Sequence, residues 1–167
     1  MIRNASFDPL ERFAEIERLV SKLYFRFSHL FLNRPELRDF WWDMAREEEQ
    51  HALILQALRV IIENYGDEGV DPEVNQEKAD HLKATLEKYL RKRTRSITVE
   101  EAFRIALDVE GSEIDAIYRK LIQLGGPKVA KTMENLAVPA KAQREKLKAA
   151  LRRFCNVPEL LAAAEKL

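Results

Sequence analysis

The sequence predicts an all-α protein on three observations: few helix-breaking residues, charge spread along the whole chain, and apolar residues recurring at helical spacing. With 5 glycines and 6 prolines in 167 residues, the breakers act as punctuation and divide the chain cleanly. The length suits one domain, residues 1–167, able to bury a single sizeable core.

Asp8-Pro9-Leu10-Glu11 reads as an N-cap, a first-turn proline and a capping-box glutamate, opening a helix to about Leu32. Asn33-Arg34-Pro35 makes a tight corner, and a second helix runs from Pro35 to Tyr65 with Gly66 as its stop. At 1.5 Å per residue it is roughly 45 Å long, a length that suits a bundle. Asp67 to Val70 is a short polar loop. Asp71-Pro72-Glu73 then opens a charged helix to about Arg93, whose few apolar positions suit a crossover lying on the surface. Thr98-Val99-Glu100-Glu101 is another capping box, launching a helix to Leu124. Gly125-Gly126-Pro127 ends that helix and begins the next, which reaches about Phe154. Asn156-Val157-Pro158-Glu159 caps a short C-terminal helix ending at Leu167. Two short corners flanking one long connection predict a four-helix bundle with a single long crossover helix.

Composition excludes several classes of function. Lys plus Arg and Asp plus Glu both number 28, so the basic excess of a nucleic-acid-binding protein is missing. Cys155 is the only cysteine, which rules out an internal disulfide and a Cys-x-x-Cys pair. The start, Met1 to Ser6, runs into a charged amphipathic segment, and no run approaches a membrane span. The expectation is a cytoplasmic protein with no nucleic-acid or membrane partner.

Heptad spacing locates the buried seam of each long helix, and the seams are interrupted by charge. The first collects Leu10, Phe13, Val20, Tyr24, Phe27 and Phe31, broken by Glu17. The second collects Leu37, Trp41, Met44, Leu55, Leu58 and Ile62, broken by Glu48 and His51. The third collects Phe103, Leu107, Ile114, Ile117 and Leu121, broken by Glu110, with Glu113 at its edge. Burying an ionised carboxylate without a partner costs several kcal/mol. Antiparallel packing brings these mid-helix levels together, where a cation would satisfy the oxygens. Glu48 and His51, three apart, project from one helix face toward the same point. Oxygen plus imidazole ligation suits iron, manganese or zinc.

At these residues the chain resembles the rubrerythrin-like branch of the ferritin-like superfamily. The resemblance rests on Glu17 with Tyr24, on Ala45-Arg46-Glu47-Glu48-Glu49-Gln50-His51-Ala52, and on Glu110-Gly111-Ser112-Glu113 with Tyr118. It implies a ferritin-like four-helix bundle holding a di-iron centre, with Glu17, Glu48, His51 and Glu110 as ligands and Glu113 as an extra carboxylate. It also implies reduction of peroxide or oxygen at ferrous iron, with electrons from an external donor, since the four-cysteine module that would deliver them is absent.

The fourth helix departs from that pattern. Its seam reads Val129, Met133, Leu136, Ala140, Gln143, Leu147 and Leu151, so the family's second Glu-x-x-His falls on Ala140 and Gln143. Pro139 just before them favours a kink. Three arrangements stay open: one metal on Glu17, Glu48 and His51; a pair that adds Glu110 and Glu113; or no metal, with Lys141 or Arg144 reaching inward. A rival function is a non-catalytic helical interaction protein that keeps the fold without the metal. Trp41 and Trp42 point to different faces, so one packs inside and the other marks a contact for a homodimer. His29 and His81 read as surface residues, and Cys155 as packing.

Overall fold

The computed structural model describes residues 7–65 and 74–167, and within them every regular element is helical. Among the described residues there are eight α-helices: α1 (Pro9–Leu30), α2 (Pro35–Tyr65), α3 (Gln76–Leu90), α4 (Val99–Glu110), α5 (Ile114–Ile122), α6 (Gly126–Leu136), α7 (Ala140–Phe154) and α8 (Pro158–Ala164). They pack as an all-α bundle, in which α4–α5 and α6–α7 stand where two continuous helices were predicted.

Two of the caps read from the sequence act as caps, whereas α8 opens from Val157 rather than Asn156 and has no side-chain cap bond. Asp8 accepts the Glu11 amide at 3.1 Å, and Thr98 accepts that of Glu101 at 3.2 Å. The stop at Gly66 and the opening at Asp71 lie outside the described residues. Within them, α3 starts later than predicted, at an Asn75 cap that accepts the Lys78 amide.

The corner after α1 sends α2 back antiparallel to it. Arg59 of α2 bonds Asp8 at 2.5 Å, while Ser21 of α1 donates to the Ala45 carbonyl at 2.8 Å. That register sets Glu17 level with the turn of α2 carrying Glu48 and His51. The crossover α3 lies against α1, burying Ala79, Leu82 and Leu86. Arg26 of α1 ties down its end by donating to the carbonyls of Leu90, at 2.7 Å, and Lys92. Helix α7 returns antiparallel to α2, with Lys146 on Glu47 at 2.6 Å and Arg153 on Glu36 at 2.5 Å.

Two breaks correct the predicted helices. At Gly111-Ser112-Glu113 the Ser112 hydroxyl donates to the Val109 carbonyl at 2.5 Å and accepts from the Ile114 amide at 3.4 Å. A side chain bonded this way competes with the helical ladder, so α4 ends and α5 restarts with its faces turned. Between α6 and α7, Ala137 is extended at φ −107°, ψ 156°, and Pro139 caps the next helix. Proline disfavours helical backbone in the residue before it, so a break replaces the predicted kink. Leu136, a predicted seam residue, is thereby left exposed.

The core centres on Trp41, fully buried, whose ring meets Tyr24, Phe27, Phe40 and Phe103 at centroid distances of 4.7–5.6 Å. Trp42 faces outward beside Phe25, as the sequence predicts. His29 and His81 are exposed and Cys155 is buried. None of the described helices is long and apolar enough to cross a membrane.

Candidate metal centre

Four of the five predicted ligands are buried: Glu17, Glu48, His51 and Glu110. Three of them form one cluster. Glu17 from α1, with Glu48 and His51 from α2, each offer a ligand atom within 4.8 Å of the other two. His51 Nδ1 lies 3.2 Å from a Glu48 oxygen and 3.9 Å from Glu17 Oε2. Bonds of about 2.1 Å meeting at right angles put ligand atoms about 3 Å apart, so the Glu48–His51 pair is already spaced for one ion. Glu17 Oε2 lies farther out, 3.9 Å from the same His51 nitrogen.

The cluster is short of partners. Both Glu17 oxygens are buried without a hydrogen-bond donor. Gln143 donates its amide nitrogen to Glu48 Oε1, but its own oxygen has no partner. Tyr118 packs its ring 4.5 Å from that of His51, and its buried hydroxyl is also unpartnered. Buried polar atoms are ordinarily satisfied, so this concentration of orphans around one point calls for a further occupant. Two carboxylates and an imidazole are a donor set that could hold a metal ion.

Electrostatics agree with the geometry. Burial, followed by the neighbouring Glu48 carboxylate, pushes Glu17 well above the usual carboxylate range. Burial likewise raises Glu110, with Glu48 and Asp115 adding to it, against the bond from Tyr24 and the charge of Arg144. Burial alone would lower His51, yet the bond and charge of Glu48, then Asp115 and the Val138 backbone, leave it raised. Tyr118 is raised by burial and the nearby acids.

Glu110 lies beside the cluster rather than in it, accepting the Tyr24 hydroxyl at 2.7 Å. Glu113 is the predicted ligand that the structure places elsewhere. It sits on the break between α4 and α5, turned to solvent, where Lys78 reaches it at 3.1 Å. The same break turns in a carboxylate the heptad count passed over, Asp115, only 7% exposed. Lys141 is exposed. Arg144 does reach inward, but to Asp115 Oδ2 at 3.2 Å and the Glu110 carbonyl at 3.5 Å. The signal for Asp115 was available only in the Gly-Ser pair that ends α4.

No family model, curated protein or solved structure matches this chain.

Proposed function

We propose that this chain is a non-haem metal-binding protein of rubrerythrin-like type, with a ferritin-like bundle that holds iron on Glu17, Glu48 and His51. The observation that carries the reading is Glu17: fully buried, both oxygens without a donor, and level with a carboxylate and an imidazole. Ionising an acid in that position costs several kcal/mol unless a cation joins it. The sequence resemblance favours iron over manganese and zinc, which the same donor set accepts.

The chain's own part is to bind and to exclude water. Glu48 and His51 are one helical turn apart, so α2 fixes their separation, and α1 brings Glu17 across to them. The Tyr118 ring, 4.5 Å from that of His51, covers the imidazole. Iron so held would supply one electron per ferrous ion toward the reduction of peroxide or oxygen, the remaining electrons coming from an external donor. A second reading, a helical interaction protein without a metal, draws on the exposed Phe25 and Trp42, which touch each other on the outer face of α1 and α2.

Metal content after anaerobic loading with ferrous iron and desalting separates the two. The wild-type protein retains iron, and His51→Ala loses it. Removing a ligand weakens binding at least as much as removing an outer partner, about 10–100-fold. A wild-type protein that retains no more iron than His51→Ala supports the interaction protein instead. Peroxide consumption by the loaded protein, with a chemical reductant, then tests turnover separately.

A further inference from the structure

Four carboxylates are buried together here, Glu17, Glu48, Glu110 and Asp115, enough charge to balance two divalent ions. The chain itself has supplied partners for most of them. Arg144 Nη2 holds Asp115 Oδ2 at 3.2 Å and the Glu110 carbonyl at 3.5 Å, and Nη1 holds the Leu167 carbonyl at 3.3 Å. Three acceptors fix the guanidinium in place, and its planar fork suits such a role. Tyr24 donates to a Glu110 oxygen at 2.7 Å. Gln143, fully buried, donates to Glu48 Oε1, the oxygen opposite the one that faces His51. What remains without a donor is Glu17, beside the Glu48 Oε2 and His51 Nδ1 that face each other at 3.2 Å.

We infer that the pocket admits one metal ion and not two, because Arg144 is a built-in cation for Asp115, Tyr24 holds the Glu110 carboxylate, and Gln143 occupies the Glu48 oxygen that a second ion would need. This deepens the metal-binding reading and rests on it. With one divalent ion and Arg144 in place, the four acids keep a single negative charge, which Tyr24 and Gln143 stabilise by hydrogen bonds. A second divalent ion would meet a fixed positive charge in a dry interior, where like charges repel strongly. Arg144 and Gln143 are therefore determinants of stoichiometry, acting by occupying acceptors rather than by touching the bound ion.

Titration with cobalt(II), followed by visible absorption and by elemental analysis after desalting, tests the inference without relying on activity. The wild-type chain saturates at about one ion, and the manganese(II)-loaded protein gives the spectrum of an isolated ion rather than an exchange-coupled pair. The double variant Arg144→Ala/Gln143→Glu adds a carboxylate where a donor stood and removes the cation, so its end point rises to about two ions. The control Arg144→Lys/Gln143→Glu keeps the positive charge and stays near one. Two ions in the wild-type protein, or a coupled spectrum from it, overturn the inference and leave the metal-binding reading standing. One ion in both wild type and the folded Arg144→Ala/Gln143→Glu variant overturns it too. No ion in the wild type removes the reading beneath it. Because the wild-type end point and spectrum are decisive alone, a double variant that fails to fold leaves the inference open to refutation.

Discussion

At the scale of residues, the centre joins groups that hold protons more tightly in the native chain than in the unfolded one. Glu17, Glu110 and Asp115 are all raised, mainly by burial, and His51 is raised by its acidic neighbours against burial. Between the ordinary value, 4.5 for Glu17, and the raised one, the native state keeps a proton that the unfolded state has released. Stability therefore falls as pH rises through that window. Below it both states are protonated and the contribution is fully present. For chelated protein, urea midpoints measured from about pH 5 to about pH 8 should decline steadily. Saturating zinc, which favours the ionised acids, should flatten the decline or reverse it. A chelated protein whose midpoint climbs over this range would show that these acids are ionised more readily in the native chain than in the unfolded one.

At the scale of elements, the turn from α5 to α6 gives a sharper test. Gly126 has φ +83°, the one left-handed residue among those described, and it opens α6 directly before Pro127. Gly126→Ala has space for its methyl group but not the backbone freedom, and should cost about 1–2 kcal/mol in equilibrium unfolding. An unchanged midpoint would mean the turn relaxes to another conformation. Such terminators were legible in the sequence, as were the Asp8 and Thr98 caps, because each acts through its own local chemistry. Glu17, Glu48, His51 and Glu110 were legible for a different reason: a charge on an apolar seam stands out wherever the helix is continuous. The α4–α5 break defeats that logic. A heptad count carried through Gly111 and Ser112 keeps Glu113 at the seam and ignores Asp115, whereas the break sends the first to solvent and the second inward. Pro139 announced a disturbance, but how far α7 would turn depended on tertiary contacts, among them Gln143 on Glu48.

At the scale of the whole molecule, the centre is a cost that the rest of the bundle offsets. The aromatic core around Trp41 and the seams of α1, α2, α4 and α5 bury apolar surface, while Glu17 sits among them as an unpartnered acid. A buried polar group without a hydrogen-bond partner carries a desolvation cost that an apolar side chain of similar volume does not. Glu17→Leu should accordingly raise the stability of the metal-free protein. The same change should remove the response to metal. A ligand that binds only the native state stabilises by RT ln(1 + [L]/Kd), about 2.7 kcal/mol at a hundred times Kd. Thermal unfolding of the two proteins, each with chelator and with saturating ferrous iron under anaerobic conditions, should then show the order of stability narrowing or inverting. The variant leads without metal, and only the wild type moves when iron is added. If Glu17→Leu is instead the weaker protein in chelator, the glutamate is already satisfied by its neighbours, and the bundle has no deficit for a cation to repair.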